Sequence, residues 1–345
     1  MEKTDILSLT LPELEMQMEE IGEKRFRAKQ IFQWLHTKYV GSFDEMSNIS
    51  LKLRTKLEDH FCIKSLKIVR RLESNIDNTV KYLYELSDGM FVETVLMEYK
   101  HGMSICLSTQ VGCKMGCKFC ASTIAGFERN LEPSEILQQI YCTQRDSGKK
   151  ISGIVLMGIG EPLDNFQNVL KFMELISCPD GYGLSLRHVT LSTCGIVPKI
   201  RELAEKKLGI TLSVSLHCPD NNGRSEIMPV NKTYNVNELI EATKEYIDIT
   251  GRRVTYEYAV IDGVNSDRKS AEELVHLVKG INCHVNLIPV NSVKERNYKS
   301  SRESALRFQK MLIDMGINAT VRRTLGSDID AACGQLRREV VDLKK

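Results

Sequence analysis

The first sixty residues place apolar side chains at the spacing of amphipathic helices. In the stretch LPELEMQMEEIG, Leu11 and Leu14 fall on one face, and Gly22 ends the pattern. The stretches RFRAKQIFQWLHTKY and SLKLRTKLEDHF show the same period of three to four residues, so the sequence predicts three helices. LKIVRRLES, TVKYLYELSDG and MFVETVLMEYKHG then predict three strands, with a turn at Asp88 and Gly89.

The remainder of the chain alternates apolar, strand-like runs with helical stretches. The runs are MSICLS, SGIVLMG, HVTLST, ITLSVSL, RVTYEYAV and HVNLIPV, and each precedes a helical stretch. Six βα units in succession predict a parallel sheet, because a crossover connection is needed to begin a parallel neighbour. An open doubly wound sheet and a partial barrel are both compatible with this pattern. In both, chemistry lies beyond the carboxyl ends of the strands.

Composition narrows the class of protein. The 345 residues are 42% hydrophobic and 27% charged, which is typical of a globular chain. The N-terminus has no basic region or cleavage site, and no apolar run approaches the length of a membrane span, so we expect a cytoplasmic protein that uses no membrane. In that compartment the eleven cysteines indicate metal binding or catalysis rather than a disulfide framework. The net charge of +2 permits an RNA partner without requiring one.

Four cysteines lie close together in CLSTQVGCKMGCKFCAST. Cys113, Cys117 and Cys120 form a C-x3-C-x2-C pattern, and Cys106 precedes them by seven residues. A buried loop of reduced cysteines is disfavoured by the lysines and glycines between them. A structural zinc needs four ligands, and no fourth Cys or His stands at finger spacing. Three thiolates suit a 4Fe-4S cluster that keeps one iron open.

CKMGCKFC resembles the signature of radical S-adenosylmethionine (SAM) enzymes. The resemblance implies an α/β fold with a partial (βα)6 barrel, and a 4Fe-4S cluster on Cys113, Cys117 and Cys120. It also implies that SAM binds the open iron and is cleaved to a 5′-deoxyadenosyl radical. Gly160 and Glu161 resemble the family's GGE motif, which meets the SAM amino group. The first glycine of that motif is replaced here, but the carboxylate is kept.

Further SAM contacts follow from the same resemblance. Ser192, Ser215, His217 and Asn291 stand at the ends of predicted strands and match SAM contacts of the family. Ser215 and His217 are two residues apart, so a strand places both on one face. Leu216 lies between them, and we expect it to contribute through its backbone.

Five longer motifs resemble the RlmN/Cfr family of RNA adenine methyltransferases. They are CLSTQVGCKMGCKFCAST, MGIGEPLDN, LSTCGIVPKI, VSLHCPDNNGRSEIMPVN and GSDIDAACGQL. The segments GEPL and RRTLGSD are closer to the branch that methylates C2 of adenine than to the branch that methylates C8. The resemblance therefore implies C2 methylation of adenosine in 23S rRNA, at the peptidyl transferase centre, and in tRNA, 3′ to the anticodon. Cfr-type C8 methylation of the same rRNA adenosine is the alternative.

The family chemistry gives three residues a role. By resemblance, Cys333 takes a methyl group from one SAM, and a second SAM supplies the radical that activates this methyl for addition to C2. Glu93 accepts the C2 proton, and Cys106 releases the product by forming a transient disulfide with Cys333. A glutamate in a strand is more often exposed to solvent, so the role of Glu93 rests on its place in the motif.

The sequence also predicts four segments of the chain and a set of partners. Residues 1–65 form a helical RNA-contacting domain, 66–98 a β-rich connection, 99–330 the radical SAM core, and 331–345 the segment that carries Cys333. A flipped adenine must enter the barrel mouth. We expect a monomer that receives electrons from a donor such as flavodoxin or ferredoxin. A zinc- or cluster-stabilised RNA-binding protein without catalysis is the alternative from another class.

Overall fold

The N-terminal helices form as their apolar period predicts. The computed structural model describes residues 3–289, 298 and 301–329. The first helix begins at a capping box of Thr10 and Glu13, in which each side chain accepts a hydrogen bond from the other's backbone N–H. Two short strands pair in parallel and bring both ends of the helical unit together. These elements are β1 (Thr4–Asp5), α1 (Leu11–Glu20), α2 (Phe26–His36), α3 (Leu51–His60) and β2 (Phe61–Cys62).

Residues 67–130 form consecutive strands without an α-helix, and from residue 133 onward the described chain alternates helices with strands, as predicted. The strands are β3 (Lys67–Glu73), β4 (Val80–Glu85), β5 (Phe91–Tyr99), β6 (Gly102–Cys106), β7 (Gln110–Gly112), β8 (Phe127–Asn130), β9 (Ile151–Leu156), β10 (Val189–Thr193), β11 (Thr211–Ser215), β12 (Val254–Val260), β13 (Cys283–Pro289) and β14 (Ala319–Val321). The helices are α4 (Pro133–Ser147), α5 (Phe166–Ser177), α6 (Val197–Glu205), α7 (Asn221–Ile227), α8 (Val236–Thr250), α9 (Arg268–Val278) and α10 (Arg302–Asp314).

Ten strands join in one mixed sheet with the order β14-β13-β12-β11-β10-β9-β6-β5-β4-β3. The seven strands from β14 to β6 are parallel, and β6, β5, β4 and β3 pair in antiparallel fashion. The predicted α/β fold is confirmed. The three strands that we expected to form a connection extend the main sheet instead, because short turns return each one beside its predecessor. Every helix in the described ranges is too short or too polar to cross a lipid bilayer.

A buried histidine links the N-terminal helices to the sheet domain. His36, at the end of α2, shares a hydrogen bond of 2.9 Å with the Tyr141 hydroxyl on α4. The Tyr141 ring also stacks on Tyr39 at 4.7 Å. Burial lowers the pKa of His36 to about 3, because a charged imidazole would be removed from water. The histidine is therefore neutral, and the helical unit is held by neutral contacts at this point.

Removing His36 should weaken the acid sensitivity of folding. The unfolded chain binds a proton near pH 6.5, whereas folded His36 binds one near pH 3, so stability is present above pH 6.5 and is lost as the pH falls towards 3. Each such histidine contributes a slope of about 1.4 kcal/mol per pH unit in this window. Urea unfolding of cluster-free protein at several pH values should show that slope reduced in His36→Phe.

Tyr141→Phe is the matched control, because it removes the hydroxyl partner and keeps the histidine. Its free energy of unfolding should change, while its pH slope should equal that of the parent. An unaltered slope in His36→Phe would show that this imidazole is protonated equally in both states.

Candidate functional site

A cavity of about 380 Å³ opens at the carboxyl ends of the parallel strands. Residues from β6, β9, β10, β11, β12 and β13 all contribute to its wall, so the sheet curves around it as a partial barrel. The segment 322–325, which follows β14, covers one side, and β5 contributes Val95, Met97 and Tyr99 to the other. Parallel strands place their carboxyl ends at one rim, and this is where α/β proteins bind ligands.

Most of the site residues predicted from the sequence line this one cavity. They are Cys106, Cys113, Cys117, Cys120, Gly160, Glu161, Ser192, Ser215 and His217. Leu216 is buried; its N–H donates to the Glu257 carbonyl, and its carbonyl accepts one hydrogen bond from Arg224 and keeps a second lone pair. Asn291 and Cys333 lie outside the described residues.

A two-stranded hairpin of β7 and β8 carries the cysteine loop. Gly112 ends β7 with φ of +81°, and a Cβ there would lie 1.8 Å from the carbonyl oxygen of Gly126. Glycine is therefore required where the loop leaves the hairpin. The far side of the loop is tied to the barrel, because the Lys118 N–H donates to the Ile227 carbonyl at 2.9 Å. The Thr123 hydroxyl donates to the Cys120 carbonyl at 3.0 Å.

The three loop thiols line one cavity, where they could hold a cubane cluster that keeps one iron open. Cys113 and Cys117 are buried and face the same cavity as Cys120. Within the described residues, no three Cys, His, Asp or Glu side chains are grouped tightly enough to hold one metal ion. A cubane does not need such a group, because its thiolates bind different irons. Burial raises the pKa of Cys113 to about 12, so this thiol needs a cation to become a thiolate.

Glu161 is a buried carboxylate held by backbone amides. Its Oε1 accepts from the Leu163 N–H at 3.0 Å, and its Oε2 accepts from the Cys194 N–H at 2.7 Å. The pKa of Glu161 lies above its usual value, because burial raises it by more than these hydrogen bonds lower it. Gly160 has φ of +109°, and a Cβ there would lie 2.6 Å from the side chain of Gln110. The glycine therefore lets the carboxylate lie against the cavity wall, where it can accept from a ligand ammonium.

His217 reaches the cavity by a route that the sequence did not predict. β11 ends at Ser215, and His217 has φ of +58°, so the two residues do not share a strand face. The His217 Nδ1 accepts from the Ala259 N–H at 2.9 Å, and burial lowers the pKa of the imidazole to about 3. A neutral ring that accepts at Nδ1 carries its hydrogen on Nε2. His217 can therefore donate a hydrogen bond through Nε2.

Glu93 and Cys106 lie on adjacent strands beside the cavity. Glu93 is 2% exposed and forms an ion pair of 3.0 Å with Lys81, which is fully buried. The alternative of a solvent-facing glutamate is therefore wrong. Alternate residues of a strand share a face, so Glu93 lies on the face of β5 whose later residues line the cavity. Cys106, at the end of β6, is buried and pairs in register with Val95.

Some residues at the site were missed from the sequence. Glu257 on β12 lines the cavity and accepts from Ser213 at 2.6 Å and from Asn286 at 2.8 Å. A charged residue inside the apolar run RVTYEYAV was the available signal. Arg224 on α7 is fully buried, and nothing in its polar surroundings, NNGRSEIMP, indicates burial.

Comparison with known proteins finds close relatives over the whole chain. Residues 4–63 match the model of the ribosomal RNA large subunit methyltransferase N-terminal domain, and residues 107–278 match the radical SAM superfamily. A "probable dual-specificity RNA methyltransferase RlmN" of Lachnoclostridium phytofermentans is 53% identical, covering 99% of this chain and 96% of the relative. One of the same description from Clostridium novyi is 52% identical, covering 98% of each. The crystal structure of a radical SAM methyltransferase from Sphaerobacter thermophilus superposes with a TM-score of 0.92 at 40% identity, covering 96% of this chain and 98% of that one.

Gly112→Ala should disrupt the cysteine loop. Gly148, which caps α4 with φ of +66° and has open space around its Cα, provides the matched control. We expect Gly148→Ala to cost about 1 kcal/mol of stability, and Gly112→Ala more than about 3 kcal/mol because its methyl group also overlaps a carbonyl oxygen. Iron and sulfide retained after anaerobic reconstitution should fall in Gly112→Ala alone. Equal iron content in both variants would mean that the loop does not depend on this close approach.

Proposed function

This chain belongs to the family of RlmN dual-specificity RNA methyltransferases, and from that membership we propose that it methylates C2 of adenosine in 23S rRNA and in tRNA. The observation that carries the proposal is the shared cavity. It joins the three loop cysteines and Glu161 on one side to Cys106 on the other. A binding protein has no need of a further buried cysteine in the same cavity as a metal-binding loop.

The cavity supports a 4Fe-4S cluster and SAM as cofactors. Cys113, Cys117 and Cys120 would hold the cluster, Glu161 would accept from the SAM ammonium, and the Nε2–H of His217 would donate to the bound molecule. Gly160, Ser192, Ser215, the Leu216 backbone and Asn291 are the other proposed SAM contacts. When bound, these cofactors supply a carbon radical that removes a hydrogen atom from a methyl group, and they take back one electron after the carbon–carbon bond has formed.

The protein itself carries the methyl group in this proposal. The Cys333 thiolate takes a methyl from SAM by displacement at the methyl carbon, with S-adenosylhomocysteine as the leaving group, because the electron-poor C2 of adenine cannot attack a sulfonium itself. After hydrogen removal, the methylene carbon on the Cys333 sulfur adds to C2. The Cys106 thiolate then attacks that sulfur, and the carbon–sulfur bond breaks with its electron pair going to carbon, which is protonated to methyl. A Cys106–Cys333 disulfide remains for reduction.

Glu93 is the proposed acceptor of the C2 proton. Its carboxylate forms an ion pair of 3.0 Å with the buried Lys81, which fixes its position on β5. Both side chains are shielded from water, so the proton stays near the reacting base. The position of Glu93 on β5, next to the strand of Cys106, supports the use of base and thiol on one substrate.

RNA contact is assigned to the N-terminal domain of residues 1–65, ahead of the β-rich segment 66–98, the core 99–330 and the C-terminal segment 331–345. The outer face of α2 presents aromatic rings with cations over them, as RNA-binding surfaces do. Arg27 lies 4.9 Å from the centre of the Phe26 ring, and Lys38 lies 3.6 Å from that of Trp34. Phe26 is 54% exposed, so a base can reach it.

The proposed setting is a cytoplasmic monomer. Its catalytic cysteines must be thiols at the start of each cycle, which requires a reducing compartment. A reduced flavodoxin or ferredoxin is the proposed electron donor. Of the two rivals, C8 methylation is disfavoured by the motifs GEPL and RRTLGSD, and a non-catalytic RNA-binding protein is disfavoured by the buried Glu161 and Cys106.

Cys106→Ala should stop the reaction after the carbon–carbon bond has formed. Methyl loading of Cys333 and SAM cleavage do not use Cys106, so both should continue. The RNA should remain attached through Cys333, because release needs a thiolate. Denaturing gel electrophoresis with labelled RNA should show a protein–RNA adduct that disappears when Cys333 is also replaced.

Cys283→Ala is the control, since Cys283 begins β13 at the end of the strand away from the cavity. It should turn over like the parent and leave no adduct. Normal turnover without an adduct in Cys106→Ala would show that Cys106 is a buried strand cysteine with no role in product release.

A further inference from the structure

Arg224 is a buried cation held by neutral groups. It is 0% exposed, and its guanidinium makes four hydrogen bonds. The acceptors are the carbonyls of Cys194 at 2.7 Å, Ser215 at 3.0 Å and Leu216 at 3.0 Å, and the side-chain oxygen of Asn231 at 3.0 Å. Among residues 3–289 and 301–329, no carboxylate forms an ion pair with it. Buried charges in proteins are normally paired, because removing an ion from water is costly.

The surroundings of Arg224 identify where a compensating charge can arise. Its helix, α7, ends at Ile227, whose carbonyl accepts from the Lys118 N–H in the middle of the cysteine loop. Cys117, Ile227 and Met228 pack in one buried apolar cluster with Cys194 and Cys218. The guanidinium donates to the Cys194 carbonyl at 2.7 Å, and Cys194 belongs to the same buried cluster as Cys117. Two groups around Cys194 can therefore compensate this charge: the Glu161 carboxylate, which accepts from the Cys194 N–H, and the cysteine loop in its thiolate form.

We propose that Arg224 is the charge-compensating residue of the iron–sulfur cluster and raises its reduction potential. This inference rests on the proposed cluster at Cys113, Cys117 and Cys120. An oxidised cubane with three thiolates carries one net negative charge, and one-electron reduction adds a second. A fixed cation near the cysteine loop stabilises the reduced form more than the oxidised form. Cluster potentials depend on net charge and on burial, and this site combines both.

A purely structural role is the competing explanation. Arg224 fastens the ends of β10 and β11 through their carbonyls, and it could be kept for those hydrogen bonds alone. The two roles separate by substitution. Arg224→Lys keeps the charge and loses the planar, multidentate geometry, whereas Arg224→Gln loses the charge and keeps a donor.

Arg252 gives a matched control for the loss of an arginine–carbonyl bond. Its Nε donates to the Ile210 carbonyl at 2.7 Å, just before β11 and β12 begin, at the opposite end of the barrel. Arg252→Gln therefore removes a similar hydrogen bond far from the cysteine loop.

The test is a redox titration of the full chain, reconstituted anaerobically with iron and sulfide and reduced with dithionite, followed by electron paramagnetic resonance. In Arg224→Gln the ratio of reduced to oxidised cluster at a fixed potential should fall at least tenfold, a shift of about 59 mV for one electron. Arg224→Lys and Arg252→Gln should stay within about threefold of the parent, which is under about 30 mV.

Equal shifts in Arg224→Lys and Arg224→Gln, or no shift in either, would overturn the inference. If Arg224→Gln does not fold, Arg224→Met, which is also uncharged, replaces it with the same tenfold criterion, and Arg224→Lys remains the control for the lost hydrogen bonds. Failure of the parent itself to bind a cluster would contradict the proposed function, which keeps the two failures distinct.

Discussion

The hydrogen bonds to the backbone of Cys194 hold the site together. Its N–H donates to Glu161, which follows β9, and its carbonyl accepts from Arg224, which also binds the last residue of β11. One residue thus fastens the carboxyl ends of three neighbouring strands. The Glu161 carboxylate and the Arg224 guanidinium thus lie on opposite sides of Cys194, and both are buried. The cavity wall and its electrostatics depend on this residue.

That arrangement explains why the protein can hold thiols in a region where they resist ionisation. Burial raises the pKa of Cys117 and Cys194 well above the usual range, and Arg224 acts in the opposite direction. A reactive thiol or a metal ligand needs its thiolate form. The rim of the barrel therefore keeps these cysteines protonated until metal ions bind them, which is consistent with a loop that takes up its cluster after folding.

Much of the fold was predictable from the sequence, because each βα unit is a local pattern. The helices of residues 11–60 and the six parallel strands appear as predicted. β14 was missed, since three residues are too few to show a period, and it forms by pairing with β13. The extension of the sheet through β3 to β5 depends on long-range pairing that no local pattern reveals. The cysteine loop was recognisable by its spacing. The position of His217 depends on a left-handed backbone conformation that the neighbouring sequence does not predict.

Nucleoside mass spectrometry of the RNA substrates tests whether the protein methylates C2 of adenosine in both RNAs. Unmethylated 23S rRNA and tRNA would be incubated with the reconstituted chain, SAM carrying a labelled methyl group, and a reductant, and then digested to nucleosides. We expect labelled 2-methyladenosine from both RNAs and none from a reaction with Cys333→Ala. Labelled 8-methyladenosine would contradict the assigned position. Unlabelled RNA from a protein that holds its cluster and cleaves SAM would contradict the methyltransferase itself.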